Sequence, residues 1–253
     1  MESLDQRSSS LKKGTFPKSM KAKLISYSQP PKDADIDLKD AKELVAFCAR
    51  VSNPDNQNNK KTTEKLLQYL IKHKHWSPFE MVSACIEVET TRDIARQFLR
   101  HRSFSFQEFS QRYADPTEDL SFVLRECRLQ DPKNRQNSIS FENDPSLQLD
   151  LQKQELLTNW QRRQHGIINQ AKEAYKWAVE NGIAKEQARA VLPEGLTVSK
   201  LYVNGTLRSW IHYIELRRAN GTQKEHMQLA DLIGDVISEI FPFNEPAYRA
   251  PKV

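Results

Sequence analysis

The sequence predicts one α+β domain that is rich in helix. Apolar side chains recur at helical spacing through several segments of ten or more residues, whereas residues 81–90 alternate apolar and polar side chains as a half-buried strand does. No internal repeat and no change of composition divides the 253 residues into two domains. We therefore expect a single domain over residues 21–253, preceded by a flexible basic extension over residues 1–20.

The first half of the chain is expected to contain two strands and three helices. Residues 81–90 alternate most regularly and place Val82, Ile86 and Val88 on one face. The helix that follows is expected to be capped by Thr91 and to carry Arg100 to Arg102 at its C-terminal end. In chain order the predicted elements are a strand over residues 21–28, helices over residues 37–52 and 63–75, the strand over residues 81–90 and a helix over residues 91–102.

The second half begins with a long polar excursion over residues 114–149, which contains three Asp-Pro pairs and is expected to form loop and short strand. A long helix then ends at Asn181-Gly182, which is typical of a left-handed cap, and Thr222 to Glu225 matches a capping box. The predicted elements are helices over residues 150–181 and 185–193, a strand over residues 196–203 that stops before Asn204-Gly205, and helices over residues 207–218 and 222–240.

Composition restricts the class of protein. Apolar residues make up 38% and charged residues 28% of the chain, and no apolar run is long enough for a membrane span or a signal peptide. The cysteines Cys48, Cys85 and Cys127 are odd in number and widely spaced, which argues against a disulfide framework and against a metal site. We therefore expect a soluble protein of the cytoplasm or another intracellular compartment. The net charge of +5 fits nucleic acid, phosphorylated small molecules or a basic tail equally well.

Common cofactor-binding motifs are missing from the sequence. The chain has only seven glycines, and none form the GxGxxG or GxxxxGK[ST] pattern whose backbone holds dinucleotides and triphosphates. The HExxH and GxSxG patterns do not occur either. Any cofactor must therefore be held largely by side chains.

The stretch RHRSFSFQEFSQR, residues 100–112, concentrates side chains that can bind an anion. Three cationic residues lead it, and phenylalanines then alternate with serines, so the segment is expected to be partly buried. Arginine forks and serine hydroxyls are what a phosphate monoester requires, and Ser110 and Arg112 supply both. The carboxylate of Glu108 suits a ligand with a ring N–H or a ribose hydroxyl better than it suits a solvated face or a polynucleotide patch.

These residues carry a resemblance to a known family. Arg100-His101-Arg102, followed after seven residues by Ser110, resembles the RHRx7S signature of the flavin-dependent thymidylate synthases. The similarity extends in family order from about residue 21 to residue 245 through the segments ARVS, HWSPFE, ARQFLRHR, SQRY, ARAVLP, LRSWIHYIELR and QKEH.

The resemblance implies an activity and an architecture. The activity is the reductive methylation of dUMP to dTMP, with 5,10-methylenetetrahydrofolate as one-carbon donor and with FAD reduced by NADPH as hydride source. The architecture is a central, mostly antiparallel sheet in a chain that assembles as a homotetramer, with sites that combine residues of several subunits. The implied partners are these small molecules, without membrane or nucleic acid.

The resemblance also implies which residues bind each ligand. For dUMP they are Gln97, Arg100, Glu108, Phe109, Ser110, Gln111, Arg112, Arg189 and Arg217. For FAD they are Ser52, Ser77, Arg100, His101, Arg102, Glu108, Thr206, Arg208 and His212. Thr206 and His212 stand where asparagines often occur in the family, and both can still form hydrogen bonds.

Arg217 is the residue that the resemblance implies to be catalytic. In the family an arginine at this position lies against the pyrimidine and favours negative charge around N3 and the adjacent carbonyls, which makes C5 more nucleophilic. A planar guanidinium suits this task better than an ammonium group. From its place near a helix end alone, complementation of the helix dipole explains Arg217 equally well.

Other classes of function remain open from the residues themselves. A basic nucleic-acid-binding protein is the main alternative, and a non-catalytic helical interaction protein is the other. We expect no cysteine to act as nucleophile, since Cys48 and Cys85 lie in apolar patterns; Cys127 is flanked by arginines that could lower its pKa.

Overall fold

A computed structural model describes residues 20–31, 36–141 and 150–241. The strands are β1 (Lys21–Tyr27), β2 (Ser83–Thr91), β3 (Ser105–Glu108), β4 (Arg128–Gln130), β5 (Ser138–Ser140) and β6 (Val198–Thr206). The helices are α1 (Ala41–Ala49), α2 (Thr63–Lys72), α3 (Arg92–Phe98), α4 (Leu151–Glu180), α5 (Lys185–Ala188), α6 (Leu207–Arg218) and α7 (Lys224–Ile240), with 3-10 helices at Pro54–Asn56, Ser77–Glu80 and Arg189–Val191.

The central sheet has four antiparallel strands in the order β1-β2-β6-β3. Strand β2 pairs with β6 over its whole length, from Ser83 opposite Thr206 to Thr91 opposite Val198. Its burial alternates as the sequence predicts, with Ile86 and Val88 in the core. The predicted α+β class and antiparallel sheet are therefore confirmed.

The core lies between this sheet and the helices α3, α6 and α7, and it extends to α1 and α2 through Val45 and Leu67. Trp210 of α6 is fully buried, and its indole N–H donates to the carbonyl oxygen of Ala84 in β2 at 3.1 Å. Phe98 at the end of α3 stacks on Tyr213 of α6 with 4.5 Å between ring centroids. Burial of these large aromatic rings holds the end of α3 against α6.

The segment after α3 differs from the prediction. Helix α3 ends at Phe98, so Arg100 to Arg102 lie in the turn beyond it instead of on its last turn. The residues that follow form edge strand β3, which was not predicted because Phe106 is the one apolar residue among its four.

Strand β6 runs through Asn204-Gly205, so the prediction that the strand stops before this pair is wrong. Gly205 is required there by close packing, since a Cβ atom at this position would collide with the ring of Phe104.

The two predicted helix-end signals had different outcomes. The cap at Asn181-Gly182 is confirmed: Gly182 has φ +79°, and its N–H and that of Ile183 donate to the last carbonyls of α4. The capping box is wrong, because α7 begins at Lys224 without a side-chain cap and Glu225 binds arginines of the excursion instead.

The described part of the excursion, residues 114–141, contains loop and the two-stranded β4-β5 hairpin, as predicted. Of the predicted extension, residues 1–19 lie outside the described residues, and Met20 is buried against the core. Among the helices that the structure describes, none has the length and apolar character needed to cross a membrane.

Candidate active site

Five polar side chains meet where α3, α6 and α7 converge; we call Gln97, His101, Arg217, Gln223 and His226 the inner cluster. Arg217 Nε donates to His101 Nε2 at 2.9 Å and so joins the RHR turn to the end of α6. Gln97 contributes both ends of its amide: Nε2 donates to Gln223 Oε1 at 2.9 Å, and Oε1 lies 3.2 Å from His226 Nδ1. Residues over 100 positions apart in the chain thus form two hydrogen-bonded groups. The groups adjoin where the rings of His101 and His226 lie 6.4 Å apart between centroids.

Burial keeps both histidines of the inner cluster neutral at pH 7. Burial and then the charge of Arg217 lower the pKa of His101 to about 4. Burial, Arg217 and His101 together lower the pKa of His226 to about 3. A neutral His101 can therefore accept the Arg217 N–H on Nε2, and Arg217 remains the charged group of the cluster.

Two buried polar atoms beside the inner cluster have no hydrogen-bond partner among the residues that the structure describes. They are His226 Nε2 and Tyr213 Oη, and both side chains are almost completely inaccessible to solvent. Burial also raises the pKa of Tyr213. Because buried polar atoms are usually hydrogen-bonded, these two mark a place where a ligand group or a water molecule fits.

Glu108 lies at the end of β3 and faces the helix before it. Its carboxylate accepts from Ser199 Oγ at 2.9 Å and lies 3.4 Å from the guanidinium groups of Arg92 and Arg96. The two arginines were missed from the sequence, although their spacing of four residues places them on one face of α3. Side chains of the protein therefore already occupy part of the Glu108 carboxylate that a ligand would use.

Two predicted phosphate ligands come together near Glu186 of α5. Arg112 lies 3.3 Å from the Glu186 carboxylate, and Arg189 Nε donates to the Glu186 carbonyl oxygen at 3.3 Å. The backbone N–H of Arg112 donates to Ser110 Oγ at 3.4 Å, while Gln111 is buried with no partner for its Nε2 among the described residues. Phe109 is half-buried at the end of β3. Two cations therefore lie together on this surface, and the unpaired amide of the neighbouring Gln111 is buried.

Apart from His101 and Glu108, the predicted flavin residues lie in three places. Arg100 and Arg102 are exposed in the turn after α3 and make no ion pair within the described ranges. Arg100 lies close enough to Arg217 for its charge to lower the pKa of Arg217, although burial has the larger effect. We call Arg100, Arg102, Arg112 and Arg189 the outer arginines.

The second group of flavin residues lies where α6 packs on the 3-10 helix Ser77–Glu80. Arg208 donates to Glu80 at 2.6 Å, His212 packs edge-on against Trp76 at 4.7 Å between centroids, and Thr206 caps α6 by accepting from the Ser209 N–H at 3.3 Å. Burial and then Arg208 lower the pKa of His212.

Ser52 occupies the third place. It lines a cavity of about 430 Å³ together with Arg50, Thr62 and Tyr69, none of which is a predicted site residue.

Comparison with known proteins decides the family. A family model described as thymidylate synthase complementing protein (Thy1) matches residues 35–243. A protein of Paramecium bursaria Chlorella virus 1 described as a probable flavin-dependent thymidylate synthase is 48% identical over 223 residues, which is 88% of this chain and 96% of that protein. The chain belongs to the flavin-dependent thymidylate synthase family.

Further members show the same match. The flavin-dependent thymidylate synthase of Synechocystis sp. is 42% identical over 224 residues, covering 88% of this chain and 96% of that protein. Among solved structures, the UMP/dUMP methylase PolB from Streptomyces cacaoi bound with 5-Br dUMP has a TM-score of 0.68 at 24% identity and covers 87% of this chain and 90% of that one. The structural likeness supports the fold, and the sequence matches confirm the family expected from RHRx7S.

The cysteines of this flavin-dependent thymidylate synthase family member are free and half-buried. Burial raises the pKa of Cys48 and Cys85. Burial and the charge of Glu126 also raise the pKa of Cys127, so the expectation that flanking arginines lower it is wrong. Arg128 is instead engaged by Glu126 and Glu225. Within the described ranges, no three His, Cys, Asp or Glu side chains are grouped to hold a metal ion.

Proposed function

We propose that the chain catalyses the reductive methylation of dUMP to dTMP, with 5,10-methylenetetrahydrofolate as one-carbon donor and NADPH as source of electrons. The observation that carries the proposal is the hydrogen bond of 2.9 Å from Arg217 to His101, since it unites the RHRx7S segment with the distant arginine in a member of this family. The names of the relatives, flavin-dependent thymidylate synthase, support the reaction.

The phosphate of dUMP is proposed to bind at the surface around Glu186. Arg112 and Arg189 both approach this residue, and Arg112 is held there by a single exposed ion pair. An exposed ion pair contributes at most about 1 kcal/mol, so a dianionic phosphate can displace Glu186 at little cost. Ser110 and the free amide of Gln111 add neutral donors, and both fit a phosphate oxygen or a ribose hydroxyl.

Arg217 is proposed to act on the pyrimidine. Its Nε–H is used by His101, which leaves the two terminal nitrogens as a planar fork for ring atoms. A guanidinium in a half-buried site stabilises negative charge on N3 and the adjacent carbonyl oxygens, and this increases the electron density at C5. The methylene carbon is then bonded to C5, the C5 proton is lost, and the bond between this carbon and the folate nitrogen breaks to release tetrahydrofolate. A hydride equivalent from NADPH, two electrons and one proton, completes the methyl group and leaves NADP+.

The residues of the chain fit FAD as the redox cofactor. Arg100 and Arg102 have no carboxylate partner in the described part of the chain, and exposed guanidinium groups of this kind suit the pyrophosphate of a dinucleotide. Ser77, Arg208 and His212 supply further donors from the surface of α6 and its neighbouring 3-10 helix. When bound, FAD supplies the redox chemistry that links NADPH to the incoming methylene group. The other proposed contacts are Ser52, His101, Glu108 and Thr206.

We propose that the chain assembles as a homotetramer through contacts on the surface of α4. Leu156, Trp160, Ile167 and Trp177 recur at helical spacing along this 30-residue helix and are exposed, with Trp177 at 61%. An apolar stripe of this length fits a contact between chains. The mass of the protein in solution tests it, and a monomer at micromolar concentration would reject the proposal.

The function is tested by the colour and the turnover of the purified protein. We expect a yellow protein that releases flavin on denaturation and that forms dTMP while oxidising NADPH. Formation of dTMP should stop when dUMP, methylenetetrahydrofolate or NADPH is omitted. A colourless protein that cannot be loaded with FAD, and that instead binds DNA in a salt-sensitive manner, would reject the proposal in favour of a nucleic-acid-binding protein.

A further inference from the structure

A chain of side-chain hydrogen bonds leads from the buried carboxylate of Glu225 to Gln97. Gln223 Nε2 donates to Glu225 Oε2 at 2.9 Å, and Gln97 Nε2 donates to Gln223 Oε1 at 2.9 Å. The far end of the Gln97 amide, Oε1, lies 3.2 Å from His226 Nδ1. Each amide in this chain therefore has one neighbour at its oxygen and another at its nitrogen.

Glu225 can only accept hydrogen bonds, and this sets the donor-to-acceptor direction of the whole series of hydrogen bonds. Arg128 binds both carboxylate oxygens, at 2.7 and 2.9 Å, and Arg125 approaches to 3.5 Å. Burial opposes ionisation of Glu225, but the hydrogen bond and charge of Arg128 and the charge of Arg125 lower its pKa to about 2. A carboxylate held by Arg128 and ionised at neutral pH cannot donate to Gln223, so the Gln223 amide must present its Nε2 to Glu225 and its oxygen to Gln97.

The same reasoning carries through to Gln97 and His226. With the Gln223 oxygen facing it, Gln97 must present Nε2, and its oxygen then faces the histidine. His226 accordingly carries its proton on Nδ1, which leaves Nε2 as the buried acceptor without a partner in the described chain. Reversing either amide would bring two oxygens, or two N–H groups, face to face at a buried contact.

We propose that Glu225 is a positioning residue that, through Gln223, fixes the orientation of the Gln97 amide and thereby favours uracil over cytosine nucleotides. The proposal rests on the proposed function and adds that Gln97, which the family resemblance assigns to dUMP, contacts the pyrimidine. After its two protein contacts, the Gln97 amide keeps one free N–H and one free lone pair in a fixed order. Uracil and cytosine reverse the donor and acceptor at N3 and at the exocyclic group of C4, so an amide held in one order fits only one of them.

The test compares three variants of the full-length, flavin-loaded protein. Gln223→Met removes the middle link of the hydrogen-bond series and leaves the Glu225–Arg128 pair intact. Glu225→Gln introduces a side chain that can donate a hydrogen bond to Gln223. Glu126→Gln is the matched control, because Glu126 pairs with Lys224 and Arg128 in the same network without contacting Gln223. Calorimetry measures the dissociation constants of dUMP and dCMP for each protein.

We expect the dCMP-to-dUMP ratio of dissociation constants to fall about tenfold in Gln223→Met and Glu225→Gln and to stay within about twofold of wild type in Glu126→Gln. In a Gln97→Ala background the first two substitutions should change the ratio no further, since they act through Gln97. An unchanged ratio in Gln223→Met, or an equal fall in Glu126→Gln, overturns the proposal. Should Glu225→Gln not fold, Gln223→Met decides alone.

A separate measurement keeps this proposal distinct from the proposed function. Failure of the wild-type protein to bind dUMP would reject the function. Neutron diffraction from deuterium-exchanged, ligand-free crystals then still reads the hydrogen bonds. Deuterium on Gln97 Nε2 directed at Gln223, with His226 deuterated at Nδ1, supports the fixed orientation; the reverse arrangement overturns it.

Discussion

The inner cluster and the outer arginines hold their positive charge in opposite ways. Arg217 of the inner cluster is half-buried and bound to a neutral histidine. The outer arginines lie at or near the surface. Of these four, only Arg112 forms an ion pair within the described residues, and its partner is an exposed carboxylate. The protein therefore orients the first region itself, whereas the second region depends on a ligand or another chain for its partners.

This difference separates two roles that arginine serves. A guanidinium oriented before the ligand arrives loses little entropy on binding and can stabilise charge as it develops. A mobile guanidinium at the surface attracts an anion and closes on it, which favours binding more than rate. Substitutions in the two regions should accordingly change different measured quantities.

The largest effect is expected from Arg217→Ala. Because Arg217 is proposed to stabilise charge on the pyrimidine, kcat should fall roughly 100- to 1000-fold while flavin content and the unfolding midpoint stay close to wild type. Stopped-assay formation of dTMP measures the change. Arg162→Ala on the exposed surface of α4 is the control, and full activity of Arg217→Ala would show that the proposed role is wrong.

A smaller effect concerns stability against acid and involves His226→Phe. In the unfolded chain a histidine takes up a proton near pH 6.5, whereas His226 in the folded protein resists protonation down to about pH 3 because it is buried beside Arg217 and His101. Its contribution to stability is thus complete above pH 6.5 and is lost as the pH falls. Between pH 6.5 and 4.5 the free energy of unfolding of the variant should therefore fall by about 2–3 kcal/mol less than that of wild type.

Urea unfolding at the two pH values measures this difference. His165→Phe, on the exposed face of α4, should retain the wild-type dependence. If wild type and His226→Phe lost the same stability in acid, His226 would not be held neutral by burial in the folded protein.

Arg112→Ala tests the outer region. Its ion pair with Glu186 is about half exposed on both sides, so the free energy of unfolding should change by less than about 0.5 kcal/mol. Affinity for dUMP should nevertheless fall about tenfold or more, since a charge-assisted hydrogen bond to phosphate is lost. Calorimetry and urea unfolding separate the two quantities. Arg135→Ala serves as the surface control, and unchanged dUMP affinity would contradict the assignment.

The smallest effect is expected from replacing all three cysteines with serine. Burial raises the pKa of every cysteine thiol, so none is activated as a nucleophile at neutral pH. The triple variant should keep kcat within about threefold of wild type. Selective loss of turnover in one single variant, with folding intact, would identify a catalytic thiol.

Local pattern predicted the elements whose burial repeats along the chain. Strand β2 and helix α6 follow their apolar periodicity closely, and Asn181-Gly182 ends α4 where the sequence indicates. Edge strand β3 was missed because one of its faces is exposed and Phe106 is its one apolar residue. The capping box failed since the arginines of the excursion compete for the same Glu225 carboxylate.

The sequence by itself determined the class of fold and the family, because periodicity and the RHRx7S spacing are read within short segments; its assignment of site residues stays a prediction. Only the tertiary structure decided that His226 and Gln223 join Gln97, that Glu108 faces Arg92 and Arg96, and that Ser52 lies by a separate cavity. These contacts join side chains from different elements, and burial at the meeting point sets which hydrogen bonds form and which imidazoles stay neutral.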